Sequence, residues 1–209
     1  MEISAKLVKE LRDRTGAGMM ECKKALTETK GNLAEAEIYL RKAGITKASS
    51  KATRTTRQGI IGSYIHPGSQ LGVLVEVNCE SDFVARTDDF QNLVKDLAMQ
   101  VAAADPQFIR KEDVTKDALE KERDIQRARA IQEGKPEKMA DKIVEGRLAK
   151  FYEEICLYEQ PFVKDNTITI EQLIKTKIAK LGENIVVSRF ARFKVGEGDS
   201  QLPETPAEA

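Results

Sequence analysis

The sequence predicts an α+β protein with a small N-terminal three-helix domain, a linker, and a core in which helices pack against a small antiparallel sheet. Apolar residues recur at helical spacing within residues 1–44. Two strand-like runs, 59–66 and 71–78, are joined by Pro67-Gly68-Ser69-Gln70, which is typical of a hairpin loop. The predicted parts are therefore a three-helix domain at 1–44, which we call the head, a linker at 45–57, a core at 58–195 and a tail at 196–209.

The head contains signals for three short helices. The first is predicted from an apolar repeat, Ile3, Leu7 and Leu11. Ser4 is its expected N-cap and Gly16 its expected C-cap. A second helix is predicted at about 20–29. Asn32 caps a third helix, which Gly44 is expected to end. This pattern, with a Gly-Met loop after the first helix, resembles the ubiquitin-associated fold.

Residues 45–57 are predicted to be a basic linker, because small polar residues replace any apolar period there. The whole chain has a net charge of zero, but residues 1–57 carry 13 Lys and Arg against 7 Asp and Glu. A basic head on an acidic body favours an acidic partner surface through electrostatic steering. A solvated connector is preferred to a nucleic-acid arm, because no aromatic residue is interleaved with the basic ones.

The core begins with the hairpin and continues into a strongly apolar helix. Thr87 is its expected N-cap, and Asp105-Pro106 ends it. Its predicted buried face consists of Phe90, Leu93, Val94, Leu97, Val101 and Ala104. The later elements, in chain order, are charged helices at about 115–133 and 137–159, a helix at 170–181, a strand at 184–194 and a disordered acidic tail at 196–209.

Two features of this later region lead to specific expectations. Gly146 lies inside a helical pattern, where it costs roughly 1 kcal/mol relative to Ala, so close helix packing is expected around it. The strand at 184–194 has apolar residues on both faces, which predicts that both faces are covered. Either a second copy of the chain covers the sheet in a homodimer, or the helix at 115–133 folds back over it.

Several function classes have no support in the sequence. No run of about 18 apolar residues is present, so no membrane span is expected. Cys22, Cys79 and Cys156 are far apart and form no Cys-x-x-Cys pair, which predicts neither a zinc site nor a disulfide framework and fits a reducing cytoplasm. His66, the only histidine, has no catalytic motif around it, and no phosphate-binding loop occurs. The sequence therefore predicts a binding protein without catalytic, metal or cofactor sites.

The most informative stretch is Glu76 to Arg86, where an apolar strand turns abruptly into a helix start. Ser81 is a favourable N-cap, and Asp82 suits the positive end of the helix dipole. Phe83 follows directly, on the corner itself. Burial statistics alone favour a core position for such a ring, and the alternative is contact with another molecule.

Two stretches, 11–26 and 76–86, resemble the elongation factor Ts family, the guanine-nucleotide exchange factors of elongation factor Tu. Residues 142–147 and 181–187 add weaker resemblance, and together these motifs span most of the chain. The chain departs from the family pattern in having Ser81 where Thr is usual and Glu21 where Asp is usual. It is also short compared with members that carry a second core half-domain and a protruding coiled coil.

The resemblance implies a factor that binds elongation factor Tu and releases its GDP. In this family the corner, here Ser81, Asp82, Phe83 and Val84, wedges near the magnesium and phosphate site of the GTPase domain. The N-terminal domain docks on the same domain, and its candidate contacts are Arg12, Met19 and Met20. One of the two methionines could instead fill the core of the head. No cofactor and no direct nucleic-acid contact are implied.

Two other classes of protein are alternatives on the sequence alone. The basic linker would suit an RNA-binding or ribosome-associated protein, which predicts strongly salt-dependent RNA binding. The three-helix head would suit a ubiquitin-associated-type adaptor, in which residues 1–44 carry the function and Asp82-Phe83 is dispensable.

Overall fold

The computed structural model describes residues 3–134 and 136–197, and it confirms the α+β class. The head contains α1 (Ala5–Thr15), α2 (Met19–Glu28) and the first part of α3 (Leu33–Lys51). Ser4 and Asn32 cap α1 and α3 with their side chains, as predicted, and Gly16 ends α1 in the left-handed conformation. The core of the head is small and consists of Val8, Leu11, Cys22, Ala25, Leu26 and Ala36.

The prediction that Gly44 ends the third helix is wrong, since α3 continues to Lys51 and so occupies the first half of the predicted linker. The reason is tertiary packing against α8 (Ile170–Leu181). A Cβ on Gly44 would lie only 3.2 Å from the Cβ of Ala179, so the glycine permits a close approach of the two helices. One turn later, Ala48 is buried in the main core. This packing outweighs the low helix propensity of glycine.

The main sheet has three antiparallel strands in the order β1-β2-β5. The predicted hairpin is confirmed as β1 (Gln58–Ile65) and β2 (Leu71–Cys79), which pair from Gln58↔Cys79 to Ile65↔Gly72. The third strand, β5 (Val186–Lys194), pairs with the other edge of β2 and has an irregularity beside Glu76.

One face of the sheet packs on α5 (Asp88–Ala104), which begins at the predicted Thr87 cap and ends at Asp105 in the left-handed conformation. Of its predicted buried face, only Ala104 is less than fully buried. Alternate residues of β2 and buried residues of α8 pack with α5 in the same hydrophobic core. The main core therefore includes Val73, Val75, Val77, Phe90, Leu93, Leu97, Ile174 and Ile178.

The two charged helices form a hairpin, α6 (Lys116–Gln132) and α7 (Glu137–Ile155), preceded by a 3-10 turn at Lys111–Asp113. They pack on each other, and Ala130, Val144 and Leu148 of the two helices are buried. The prediction that the first of them covers the sheet is therefore wrong. The prediction of close packing at Gly146 is also wrong, because an added Cβ would meet no described atom within 4 Å.

One element was not predicted. After a 3-10 turn at Leu157–Glu159, β3 (Pro161–Phe162) and β4 (Asp165–Thr169) form a short second hairpin. Buried Gln100 on α5 holds it, donating to the Pro161 carbonyl and accepting from the Val163 N–H. The helix predicted at 170–181 is confirmed as α8. Within the described residues, no helix has both the length and the apolar character needed to cross a membrane. Most of the predicted disordered tail, 198–209, lies outside the described residues.

Candidate functional site

The candidate site is the corner at which β2 passes into α4 (Asp82–Ala85). Ser81 has an extended backbone, and its hydroxyl accepts from the Val84 N–H at 3.3 Å, as expected of an N-cap. Val84 and Ala85 are buried in the main core, whereas Phe83 is 78% exposed. The burial of its two successors thus turns the ring outward. The interpretation of Phe83 as a core residue is wrong.

Asp82 lies beside the exposed ring and forms an ion pair with Arg86, with 2.9 Å between Oδ2 and Nη2. Both side chains are mostly exposed, at 66% and 81% respectively. A pair of this kind is worth little to stability, because water screens it and two long side chains must be ordered. The corner therefore presents an aromatic ring and an accessible carboxylate next to each other.

A second carboxylate, which sequence reasoning missed, holds the corner from behind. Glu183, in the loop between α8 and β5, accepts from the Glu80 N–H at 3.1 Å, the Ser81 N–H at 3.0 Å and the Ser81 hydroxyl at 2.6 Å. In return, Glu80 accepts from the Asn184 N–H at 2.7 Å. The only sequence signal was the family-like motif at 181–187, which carried no assigned role.

The buried thiol of Cys79 closes the inner side of the corner. Burial raises its pKa to about 11, and the negative charge of Glu183 adds to this effect. The thiol therefore stays neutral at physiological pH and can donate to the Ser81 carbonyl, 3.1 Å away. Its role in this geometry is that of a structural donor.

The three candidate residues of the head belong to α1 and α2, whose buried residues form a different cluster from those at the corner. Arg12, on α1, is exposed, and Met19 and Met20 are the first two residues of α2, at 44% and 77% exposure. The alternative in which one methionine fills the core of the head is wrong, since neither side chain is buried. The structure thus presents two exposed apolar sets, one on the head and one on the core.

A third exposed set lies on the face of the sheet opposite α5. Ile61, Ile65, Leu74 and Phe193 project there with exposures between 48% and 66%. Among them, Glu76 and Arg189 form an ion pair across β2 and β5 at 2.7 Å. Hydrogen bonding to Arg189 lowers the pKa of Glu76. We call Ile61, Ile65, Leu74, Phe193, Glu76 and Arg189 the open sheet face.

The described part of the chain contains no cluster of His, Cys, Asp or Glu that could hold a metal ion. What the candidate site offers instead is shape and contact: an outward ring and a carboxylate on a corner braced by hydrogen bonds. These are features of a protein that acts by binding another macromolecule.

Comparison with known proteins agrees with this class. The family model for elongation factor Ts matches residues 4–197. A protein of Solibacter usitatus named elongation factor Ts is 71% identical over 208 residues, which is 99% of this chain and 98% of that relative. The elongation factors Ts of Koribacter versatilis and Geobacter sulfurreducens are 60% and 57% identical, over 94% and 95% of this chain and 90% and 92% of those relatives. These matches identify a translation elongation factor. The chain belongs to the elongation factor Ts family.

Proposed function

We propose that this chain is a guanine-nucleotide exchange factor of elongation factor Tu, which binds the GDP-bound form, promotes release of GDP and so allows GTP to enter. It does so in the cytoplasm, by binding alone and without covalent chemistry. The observation that carries the proposal is the exposed Phe83 beside Asp82, on a braced corner within the region matched to the family. Leaving such a ring in water is unfavourable unless a partner buries it.

The proposed wedge acts on the phosphate end of the nucleotide. Magnesium and a cradle of backbone N–H groups hold GDP there, so a ring and a carboxylate inserted nearby weaken both. A thousandfold faster release requires about 4 kcal/mol. Burial of one Phe supplies only ~1.5–3 kcal/mol, so the wedge needs a second contact. The exposed Arg12, Met19 and Met20 of the head are the proposed source of that contact, on the GTPase domain of the partner.

The test is release of fluorescent GDP from elongation factor Tu. Substoichiometric amounts of the chain should accelerate release without changing the final nucleotide equilibrium, as expected of a catalyst of exchange. Phe83→Ala should lower the rate on the order of tenfold or more, because it removes most of the apolar contact of the wedge. Its melting temperature should stay close to that of wild type, because the ring is exposed.

Ile125→Ala is the matched control. It truncates another exposed apolar side chain, on the α6–α7 hairpin, and should leave exchange unchanged. An absence of acceleration by the wild-type chain at micromolar concentrations would contradict exchange. Normal exchange by Phe83→Ala would contradict the wedge alone.

We also propose a homodimer in which two copies bury the open sheet face against each other. The face is largely apolar and carries one charge of each sign, Glu76 and Arg189. In a two-fold contact, residue i of one copy meets residue j of the other and the reverse, so each glutamate can meet the second copy's arginine. An uncovered apolar sheet face would otherwise be an aggregation liability.

Sedimentation at roughly tens of micromolar tests the dimer, since association depends on protomer concentration. The wild-type chain should sediment at twice its monomer mass of 23.3 kDa. Phe193→Lys should give the monomer, because it places a charge in the proposed interface. Ile125→Lys, a matched change outside the open sheet face, should remain dimeric. A single 23.3 kDa wild-type species would exclude the dimer.

A further inference from the structure

We propose that Glu183 is a positioning residue for nucleotide exchange, which holds the corner so that Phe83 is presented at a fixed place and angle. The inference rests on the proposed function of Phe83 as a wedge. Glu183 is only partly exposed. Its contacts are with the backbone and side chain immediately before Asp82.

The contacts of Glu183 account for both carboxylate oxygens. Oε2 accepts two consecutive backbone N–H groups, of Glu80 and Ser81, and Oε1 accepts the Ser81 hydroxyl. Hydrogen bonds to a charged acceptor are stronger than neutral ones, and three from adjacent donors define an orientation as well as a position. Ser81 is thereby held on one side by Glu183, while on the other its hydroxyl caps α4 at Val84. Glu183 thus acts on Phe83 through the residue that starts its helix.

The loop that carries Glu183 is itself fixed at several points. Gly182 ends α8 in the left-handed conformation, and its carbonyl accepts from Lys51 Nζ at 2.6 Å. Asn184 is 3% exposed, and its side-chain amide donates to the carbonyls of Ala52 and Arg54 at 3.3 and 2.9 Å. Residues 182–184 therefore connect the corner to the end of α3, the helix that continues from the head.

Arg54 and Glu80 complete this junction. Arg54 Nη1 lies 3.5 Å from Glu80 Oε1, the oxygen that also accepts from the Asn184 N–H. The end of α3 with the residues just after it, the 182–184 loop and the corner thus share one hydrogen-bonded block. The ring of Phe83 can keep a fixed position in a partner only if the residues at its base do not move. The hydrogen bonds of this block hold Glu80 and Ser81 in place, directly before Asp82 and Phe83.

The test separates positioning from stability by measuring GDP release from elongation factor Tu as a function of factor concentration. Glu183→Ala should lower the maximal release rate on the order of tenfold, since misplacement by about 1 Å can cost this much or more. The concentration for half-maximal rate should change little, because the head contacts are intact. Glu183→Gln should recover part of the rate, because its amide oxygen can still accept the Glu80 and Ser81 N–H groups, whereas its NH2 group cannot accept the Ser81 hydroxyl.

Asp96→Ala is the matched control. It removes another partly buried carboxylate, one paired with Lys164 at 2.7 Å on the side of α5 that meets the β3–β4 hairpin. It should leave the maximal release rate unchanged. If Glu183→Ala does not fold at the assay temperature, Glu183→Asp replaces it, because it keeps the charge and withdraws the carboxylate by one methylene. An intermediate loss of maximal rate is then expected.

A double-variant cycle with Phe83→Ala gives the decisive readout. If Glu183 acts through Phe83, the double variant should release GDP no more slowly than Phe83→Ala alone. A normal maximal rate in Glu183→Ala, or losses that simply add, would overturn the positioning role. The result is separable from the proposed function: a normal rate in Phe83→Ala rejects the wedge, whereas a slow Phe83→Ala beside a normal Glu183→Ala rejects only the positioning role.

Discussion

At the residue scale, the corner combines an N-cap that is local in the sequence with hydrogen bonds between residues far apart in it. The Ser81, Thr87 and Asn32 caps need only the three residues that follow each of them, and all were predicted. The exposure of Phe83 depends on which neighbours the core takes in, and burial statistics gave the wrong expectation. The contact between Ser81 and Glu183 spans 102 positions of sequence, so no local pattern could predict it.

Asp89 gives a prediction about the pH dependence of stability. Its carboxylate accepts from Lys180 and Lys177 of α8, and these contacts lower its pKa. The unfolded chain therefore binds a proton at this group before the folded chain does as the pH falls. The stabilisation is present above the usual Asp pKa and is lost as the pH falls through the lowered one. Asp89→Asn should cost about 0.5–1 kcal/mol at pH 7, after allowance for solvent screening.

Urea unfolding of both proteins between pH 7 and pH 3 measures this effect. The difference in free energy of unfolding should shrink toward acid pH. Asp88→Asn controls for the helix dipole, because it lies in the same first turn of α5 and is exposed. A difference between wild type and Asp89→Asn that is independent of pH would contradict the assigned cause.

At the scale of elements, helices and strands with a clear apolar period were predicted. Very short elements, and those whose ends depend on tertiary packing, were not. The hairpin β1–β2, α5 and α8 have strong alternation or strong apolar stripes. The two residues of β3 are too few to show a period, and buried Gln100 on a distant helix holds that hairpin. The length of α3 was mispredicted because Gly44 is a stop signal locally and a packing site in the fold.

Two glycines in helices give opposite predictions. Gly146→Ala in α7 should raise the free energy of unfolding by about 0.5–1 kcal/mol, because the new methyl group meets no atom of the described residues within 4 Å and the helix gains propensity. Gly44→Leu in α3 should lower it by about 1–3 kcal/mol, because a bulky side chain forces α3 away from Ala179. Chemical denaturation of both variants provides the comparison. Stabilisation by Gly44→Leu would contradict the close approach of α3 and α8.

At the scale of the whole molecule, composition and charge predicted a binding protein but not its arrangement. The basic head and acidic body are visible in the sequence, and the family motifs point to the corner. The continuous helix α3 and its packing on α8 could not be predicted, because they depend on contacts between distant segments. The end of α3 is joined to the base of the proposed wedge by the hydrogen bonds of residues 182–184.

If the proposed function is right, the chain and GDP each weaken the binding of the other to elongation factor Tu. Thermodynamic linkage requires that, if the chain weakens GDP binding by some factor, GDP weakens binding of the chain by the same factor. The most direct measurement is the affinity of the chain for elongation factor Tu, determined by calorimetry without nucleotide and with saturating GDP. We predict that saturating GDP weakens binding of the chain to elongation factor Tu, by the same factor by which the chain weakens binding of GDP. Equal affinities under the two conditions would contradict the account.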